Sequence, residues 1–213
     1  MLNRLYNILF ANYGDLNWWP AETPFEVCIG AILTQNTNWK NVEKAINNMK
    51  IKGVLSPKEI LNTDLNVLKD LIKPAGFYNQ KAERLQIFCN FIMNQLNGDI
   101  LNLKKYSIHE ARDKLLSLKG VGKETADSIL LYALDFKIFV VDAYTMRLFR
   151  RYGIGYFDNY DKCQDFVHKD FHGELYDYKN FHACIVEICK TYCKKKPLCN
   201  ICLLKKYCKK VLE

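Results

Sequence analysis

Three observations predict an all-α fold for this chain of 213 residues. Apolar residues recur at intervals of three and four, as in Leu2, Leu5, Ile8 and Leu9, and this spacing places them on one face of a helix. Sequences that start helices recur along the chain. The alternation of apolar and polar residues that marks strands is nearly absent, and the one compact strand candidate, residues 138–141, is too short to build a sheet.

The predicted helices of the first half begin at recognisable caps. Asn38 is a suitable N-cap for a helix whose apolar face is Val42, Ala45, Ile46 and Met49. Ser56 is followed by proline at the first helical position and by the glutamate of a capping box at position 59. Two further helices are expected over about residues 25–34 and 78–96.

The second half repeats these signals. Ser107 and Glu110 form another capping-box pair and open a helix that runs into Leu115, Leu116 and Leu118. Short turns containing glycine or proline separate several of the helices. The remaining helices are expected over about residues 123–134, 143–152, 160–171 and 178–191.

The net charge of +8 is concentrated near the C-terminus. Residues 190–210 contain eight lysines and no acidic residue, so the rest of the chain carries 23 basic and 23 acidic residues. A basic block on an otherwise neutral protein favours a polyanionic partner, of which nucleic acid is the commonest. A solubilising tail is the alternative reading of charge alone.

Composition and cysteine content narrow the class of protein. The sequence is 49% apolar and 25% charged, which is typical of globular proteins. It shows neither the pattern of a signal peptide at its N-terminus nor an apolar run of membrane-spanning length, so we expect a soluble, cytoplasmic protein without membrane association. In that setting the nine cysteines are expected to be metal ligands or core residues rather than disulfides.

The strongest local motif is LKGVGKETADSILLYAL, residues 118–134. Two glycines, Gly120 and Gly122, flank Val121 between the end of one helix and the start of the next, and both can take backbone angles that other residues resist. Such a turn exposes backbone N–H groups beside a helix N-terminus, an arrangement that binds phosphate. Lys123 could add a positive charge. Alone, the motif is also compatible with an ordinary hairpin of two helices.

An aspartate follows this motif at a position suited to two roles. The apolar residues 139–141 lead to Asp142, which opens another predicted helix. Aspartate is a common N-cap. A carboxylate near a phosphate-binding hairpin can also stabilise positive charge that develops on a deoxyribose, or orient an attacking water molecule. The two roles are compatible.

Together, LKGVGKETA and VVDAY resemble the helix–hairpin–helix–Gly/Pro–Asp superfamily of base-excision DNA glycosylases, typified by endonuclease III, and the similarity covers nearly the whole chain. The resemblance implies two helical lobes with a DNA groove between them: residues 23–133, and residues 1–22 with 134–213. It implies a monomer that binds double-stranded DNA containing a damaged base. It places Asp142 at the catalytic position, and it assigns DNA contacts to the hairpin residues Gly120, Val121, Gly122, Lys123 and Thr125.

One departure from the family pattern bears on mechanism. Members that also cleave the DNA strand have a lysine directly before the Thr-Ala of this motif, and here that residue is Glu124. A carboxylate cannot form a Schiff base. Lys123 lies one residue earlier, about 100° around a helix, and should point elsewhere. The expected reaction is therefore base removal by water without strand cleavage.

Four cysteines near the C-terminus predict a metal centre. Cys193, Cys199, Cys202 and Cys208 have the spacing C-x5-C-x2-C-x5-C, and four thiolates suffice for zinc or for a [4Fe–4S] cluster. The spacing resembles the cluster loop of endonuclease III, with a first gap one residue shorter, so we favour [4Fe–4S] over zinc. Buried thiols are expected for the other five, with Cys189 as an alternative ligand.

Aromatic residues in the N-terminal part suggest a pocket for a base. Trp18, Trp19 and Pro20 precede the first lobe, and Gln35 and Trp39 lie in LTQNTNW. Aromatic rings hold flipped bases, although any single tryptophan is more commonly a core residue.

These segments, with PAGFYNQKAERL, resemble the 3-methyladenine DNA glycosylase III branch of the superfamily. That resemblance implies that Trp18 and Trp39 sandwich the base, with Trp19 and Pro20 forming the wall, and that Gln35 enters the space left in the duplex. Glu124 could face this pocket, or solvent.

A positively charged methylated purine suits such a site. Indole faces attract cations, and the charge weakens the bond to be cut. The leading hypothesis is a monofunctional glycosylase for alkylated purines, with 3-methyladenine as the substrate. The alternatives are an endonuclease III-like glycosylase for oxidised or mismatched pyrimidines, and a non-catalytic iron–sulfur protein that binds DNA.

Overall fold

The structure, a computed structural model of the chain, describes residues 1–211. All regular secondary structure in that range is helical, which confirms the predicted all-α fold. The chain folds into two compact units. Unit 1 consists of Met1–Pro20 and the residues from Lys137 onward, and unit 2 is Ala21–Phe136.

The described part of the chain contains α-helices that we number in chain order. They are α1 (Leu2–Tyr13), α2 (Pro24–Leu33), α3 (Trp39–Ile51), α4 (Pro57–Asn62), α5 (Leu65–Ile72), α6 (Tyr78–Gln95), α7 (Ile108–Leu116), α8 (Lys123–Ser128), α9 (Ala143–Tyr152), α10 (Tyr160–Asp170) and α11 (Leu175–Thr191). Short 3-10 segments cover Lys73–Ala75, Ile100–Lys105 and Cys199–Ile201.

The predicted caps start their helices as expected. Asn38 accepts a hydrogen bond from the backbone N–H of Asn41 at the start of α3, and Ser56 accepts one from Glu59 at the start of α4. Ser107 and Glu110 form the full reciprocal capping box of α7. Each bond satisfies a backbone N–H that the helix itself leaves without an acceptor.

Helix α5 was not among the predicted helices. Asp64 caps it by accepting hydrogen bonds from the backbone of Asn66 and Val67, and the buried residues Leu68 and Ile72 face the core of unit 2. They are four residues apart, so the helical spacing is present in the sequence. The signal is short, because α5 has only eight residues.

Unit 2 is built around α2. Eight of its ten residues are buried, and it packs against α3, α6 and the segment that follows α8. That segment, Ile129–Ala133, is a π-helical turn rather than the α-helix expected up to residue 134. The backbone N–H of Leu134 correspondingly donates to the carbonyl of Ile129, five residues earlier.

Unit 1 joins residues from both ends of the sequence. Helix α1 packs against α11, and the rings of Tyr6, Phe171 and Phe181 meet with centroids 4.7–5.6 Å apart. The terminal amine of Met1 and the backbone N–H of Leu2 lie 3.2 Å from the carboxylate of Asp170. Helix α11 begins three residues before the predicted start at 178.

Across residues 1–211, the structure has no helix of the length and apolar character that crossing a membrane requires.

Candidate active site

The turn between α7 and α8 requires a glycine at one position, Gly120, rather than at two. Gly120 has φ +91°, and a β-carbon there would collide with the side chain of Arg84. Gly122 has φ −93° and ψ 177°, which any residue adopts, and a β-carbon there would meet open space. Both glycines can take unusual backbone angles, but only Gly120 does so here.

Side chains from elsewhere in unit 2 hold this hairpin. The amide nitrogen of Gln35 donates to the carbonyl of Gly120 at 3.0 Å and to the hydroxyl of Thr125 at 2.9 Å. The guanidinium of Arg84 donates to the amide oxygen of Gln35. Gln35 thus connects the loop after α2 with the first turn of α8. Its amide contacts with Gly120, Thr125 and Arg84 lie within unit 2.

A buried lysine fixes the start of the loop that carries Gln35. The Lys81 ammonium is fully buried and donates to the carbonyls of Leu33 and Ala75, both at 2.8 Å. Burial, helped by the charge of Arg84, lowers its pKa to about 8. The two carbonyls give a desolvated ammonium the partners that it needs.

The residues of the hairpin predicted to contact DNA, and Glu124, predicted to contact the base, differ in exposure. Lys123 and Glu124 are exposed in the first turn of α8, whereas Val121 and Thr125 are buried. The ion pair between Arg112 on α7 and Asp127 on α8 ties the two helices together, with nitrogen–oxygen distances of 2.7 and 3.0 Å.

An exposed aromatic residue of unit 2 was not singled out from the sequence. Phe77 is 63% exposed and has φ +47°, directly before α6. An exposed large apolar side chain on a strained backbone marks a candidate functional residue. The signal in the sequence was the Gly-Phe pair, because a glycine between two helical segments marks a turn. This pair lies between the Lys73–Ala75 turn and α6.

In unit 1, Asp142 is the N-cap of α9. One carboxylate oxygen, Oδ1, accepts hydrogen bonds from the backbone N–H and the hydroxyl of Thr145, at 2.7 and 2.9 Å. The other, Oδ2, lies 3.7 Å from Nε2 of His182 on α11, which is longer than a hydrogen bond. Only 11% of the Asp142 side chain is exposed, so capping occupies one oxygen and the second faces His182.

The surroundings of Asp142 keep it ionised. Burial acts to raise its pKa, but the imidazole of His182 and the two donors of Thr145 favour the charged form more strongly. The net effect is a pKa below the ordinary aspartate value. At neutral pH the carboxylate therefore carries a negative charge in a site largely removed from water.

The predicted base-binding aromatics are half-buried and belong to both units. Trp18 and Trp19 are half-buried and Pro20 is exposed in unit 1. The ammonium of Lys190 lies over the Trp18 ring, 4.7 Å from its centroid. Trp39, in unit 2, is the first residue of α3, and its indole N–H donates to Glu43 at 2.8 Å.

The four C-terminal cysteines surround one cavity. Cys193, Cys199, Cys202 and Cys208 line it together with Leu148, Pro197, Leu204 and Arg151 among others, and all four are free thiols. Among residues 1–211, no group of three or more His, Cys, Asp or Glu side chains is arranged to hold a single metal ion. Cys189 is buried beside this region but does not line the cavity.

Of the four thiols, Cys193 has a pKa that its neighbours lower. A hydrogen bond from the thiol of Cys189 lowers the pKa of Cys193, and the guanidinium of Arg151 lowers it further. The sulfur of Cys193 lies 3.7 Å from that guanidinium. Cys193 is therefore the thiol most easily converted to the thiolate that binds metals.

Comparisons with known proteins agree on one family. Residues 29–165 match the family described as HhH-GPD superfamily base excision DNA repair protein. A candidate DNA repair glycosylase of Methanocaldococcus jannaschii is 52% identical over 98% of this chain and 96% of its own length. Endonuclease III of Sulfolobus acidocaldarius is 29% identical over 89% of this chain and 83% of its own.

Solved structures have the same fold. The crystal structure of H. pylori 3-methyladenine DNA glycosylase bound to 1,N6-ethenoadenine has a TM-score of 0.77 and 33% identity, and it covers 89% of this chain and 95% of its own. A non-covalent complex of endonuclease III with DNA has a TM-score of 0.83 over 99% of this chain and 94% of its own, at 21% identity.

Proposed function

Because the chain belongs to the HhH-GPD superfamily of base excision DNA repair proteins, we propose that it is a monofunctional DNA glycosylase for alkylated purines, with 3-methyladenine as the main substrate. A DNA glycosylase of base excision repair is the activity common to these relatives. The observation that carries the finer proposal is the ionised, largely buried Asp142 in a chain that has Glu124 where strand-cleaving members have lysine.

In this proposal Asp142 acts through its second carboxylate oxygen. Oδ1 stays bonded to Thr145, which fixes the position of the group. Oδ2 stabilises the positive charge that develops on the deoxyribose as the base leaves, and orients the water molecule that attacks the sugar. A methylated purine already carries positive charge and leaves readily, so no strong general acid is required.

Glu124 limits the reaction to base removal. Its carboxylate cannot form the covalent imine through which strand cleavage proceeds. The product is therefore an abasic site in an intact strand. The exposure of Glu124 at the start of α8 is also compatible with a role beside a cationic base.

Aromatic rings provide the binding site for the base in this proposal. The contact between Lys190 and Trp18 is of the kind that a cationic base would make with an indole ring. The family resemblance assigns Trp39 as the second ring that contacts the base, and Trp19 and Pro20 as the wall. Such contacts favour a positively charged purine over a neutral pyrimidine.

The hairpin and its neighbours bind the DNA backbone and the opened duplex. Gly120, Val121, Gly122, Lys123 and Thr125 form the phosphate site. Gln35 fills the space left by the base once its bonds to the hairpin exchange for bonds to DNA. We add Phe77 as an apolar wedge, because exposed apolar side chains separate base steps in DNA that proteins bend.

We propose a [4Fe–4S] cluster as the resident cofactor, held by Cys193, Cys199, Cys202 and Cys208. Structural zinc sites usually have two pairs of closely spaced ligands, and only Cys199 and Cys202 form such a pair among the four cysteines. In a cluster, each thiolate binds a different iron, which suits four thiols around a shared cavity. The cluster would fix the lysine-rich loop against DNA and take no part in the reaction.

Release of free bases from DNA tests the substrate. The wild-type protein should release 3-methyladenine from methylated duplexes faster than it acts on thymine-glycol or uracil duplexes. Asp142→Asn should reduce release at least about 100-fold, and it keeps a good N-cap, so the fold should persist. Preferential action on thymine glycol or uracil would contradict the substrate.

The identity to endonuclease III and the retained cysteine spacing favour one second candidate, a glycosylase for oxidised or mismatched pyrimidines. The same panel of duplexes separates the two. If the wild-type protein binds the lesion duplexes but releases no base from any of them, a DNA-binding protein without catalytic activity is favoured instead. Base release that is unchanged in Asp142→Asn would contradict the catalytic role of Asp142.

A further inference from the structure

The segment that leads to Asp142 is extended but has no strand beside it. Residues 138–141 are buried, and no strand occurs among residues 1–211. Buried backbone N–H and C=O groups nevertheless need hydrogen-bonding partners. Something other than a neighbouring strand must therefore hold this segment.

Side chains of α10 supply these bonds. The backbone N–H of Phe139 donates to Nε2 of His168 at 3.0 Å, and its carbonyl accepts from the amide of Gln164 at 2.6 Å. The backbone N–H of Val141 donates to the hydroxyl of Tyr160 at 3.3 Å. Three side chains thus make the hydrogen bonds that a neighbouring strand would otherwise make.

The spacing of these side chains explains how one helix provides all three. Tyr160, Gln164 and His168 are four residues apart and so lie along one face of α10. Gln164 is only 7% exposed, and Asn159 fixes the start of the helix by accepting from the backbone of Lys162. A helix with defined ends gives its side chains defined positions.

We infer that Tyr160, Gln164 and His168 are positioning residues for the reaction of Asp142. They fix the backbone of residues 139–141, and Asp142 follows directly as the N-cap of α9. Its Oδ1 is held by Thr145, but the whole carboxylate moves if the segment before it moves. This role rests on the proposed function, in which Oδ2, beside His182, also contacts the sugar and the attacking water.

The reaction rate depends on where the carboxylate of Asp142 is placed. Displacement of a catalytic group by about 1 Å can reduce a rate about 100-fold. Loss of one backbone hydrogen bond leaves a buried N–H without an acceptor and gives the segment such freedom. A role confined to stability would instead lower the melting temperature and leave the rate for folded protein unchanged.

Tyr160→Phe tests the role with the smallest change, because it removes a single hydroxyl. Tyr156→Phe is the matched control, since Tyr156 lies in unit 1, is 74% exposed and contacts Arg150 instead. Single-turnover excision of 3-methyladenine at saturating DNA reports the catalytic step. Affinity for a duplex with an abasic site reports binding, and amide hydrogen exchange at Val141 reports whether the segment is held.

Two substitutions of His168 provide a rescue experiment. His168→Leu removes the acceptor for the N–H of Phe139, whereas His168→Gln supplies a new acceptor in its side-chain carbonyl. His172→Gln is the control, because His172 is exposed and only its backbone bonds to Asn3.

Tyr160→Phe and His168→Leu should each slow excision about 10-fold, with abasic-site affinity within about twofold of wild type. Amide exchange at Val141 should accelerate in Tyr160→Phe, and His168→Gln should recover most of the rate lost in His168→Leu. The two control variants should match wild type.

Excision that depends on Asp142 but is unchanged by Tyr160→Phe and His168→Leu would overturn the positioning role alone. Equal losses of excision and abasic-site affinity would also overturn it, because that pattern marks general loss of the fold. Excision insensitive to Asp142→Asn would refute the proposed function itself.

Discussion

At the scale of single residues, the two acidic side chains of the proposed site lie in opposite environments. Asp142 is largely buried and held by Thr145, whereas Glu124 is exposed on the first turn of α8. The first is fixed in place and ionised, as a group that stabilises developing charge must be. The second occupies a surface position where substitution should be tolerated by the fold.

Replacing Glu124 with lysine should add an activity. Glu124→Lys places an amine where strand-cleaving relatives have one, so borohydride should trap the variant covalently on lesion DNA while the wild type remains free. Glu124→Gln is the control, since it removes the charge without supplying an amine. Trapping of the wild type would contradict the monofunctional proposal.

The lowered pKa of Asp142 predicts how the stability of the fold depends on pH. A group whose pKa is lower in the folded state stabilises the fold above its unfolded pKa, and that stabilisation disappears as pH falls through the folded value. The stability difference between wild type and Asp142→Asn should therefore be constant from neutral pH to about pH 5. It should decrease as the pH falls from about 5 through the ordinary aspartate value of 3.8, as measured by urea unfolding at a series of pH values.

Gly120 and Gly122 should respond differently to the same substitution. Gly120→Ala forces a positive φ on alanine and collides with Arg84, which should cost at least about 1 kcal/mol and weaken DNA binding. Gly122→Ala meets open space at an ordinary φ and should leave the free energy of unfolding nearly unchanged. Urea unfolding and DNA titration of both variants measure this, and equal effects would contradict the geometric distinction.

At the scale of elements, α7 and α8 are joined by the buried Asp127 and its partner Arg112. Asp127 is completely inaccessible to solvent and the Arg112 side chain is 18% exposed. The pair fixes the two helices on either side of the Gly120 turn, so the hairpin should be rigid before DNA binds.

Removing one partner of this pair should destabilise the protein strongly. Asp127→Ala leaves the Arg112 guanidinium largely buried without its carboxylate, and we expect a loss of about 3 kcal/mol in the free energy of unfolding. Asp113→Ala is the control, because Asp113 is exposed one residue from Arg112. Unfolding midpoints in urea would show the effect, and equal midpoints for the two variants would contradict it.

Much of the element pattern was predictable because it depends on local chemistry. Asn38, Ser56 and Ser107 started helices as their side chains dictate. Helix α5 was not predicted, because its two buried residues after the cap at Asp64 are too few to show a helical repeat. The π-helical turn after α8 depends on packing against α2, which no local pattern reports.

The candidate site was predictable in part for the same reason. Asp142 stood out as a cap after an apolar segment, and it caps α9. The bonds of Gln35 to Gly120 and Arg84 join residues 85 and 49 positions apart, and the contact of Asp142 with His182 spans 40 positions. Such pairs form only in the folded chain, and no regular spacing in the sequence indicates them.

At the scale of the whole molecule, excess charge and the proposed cofactor occupy the same stretch. Residues 190–210 hold eight lysines and no acidic residue, interspersed with the four cysteines around the cavity. An ordered loop presents its charges in fixed positions, whereas a disordered one does not.

Iron content tests the cofactor. Protein purified without oxygen should be brown and contain about four irons per chain. Cys202→Ser should lose most of the iron, whereas Cys89→Ala, a change in the core of unit 2, should retain it. A colourless, iron-free preparation would contradict the cluster.

The salt dependence of DNA binding tests the role of the lysines. Each lysine that contacts a phosphate adds about 0.9 to the slope of log affinity against log salt. Replacing Lys194, Lys195 and Lys196 with glutamine should therefore flatten the slope by up to about 2.7, whereas arginine at the same positions should preserve it. An unchanged slope in the glutamine variant would remove these lysines from the interface.

The packing of helix α1 against α10 and α11 has a consequence for synthesis on the ribosome. Helix α1 is made first, but its partners in α10 and α11 are made about 160 residues later. Unit 2 is continuous in sequence, so all of its residues leave the ribosome before those partners do, and domains generally fold as units during synthesis. We therefore expect ribosome-arrested chains in which unit 2 has left the exit tunnel, but α10 and α11 have not, to contain a protease-resistant unit 2 and an α1 that is still cleaved.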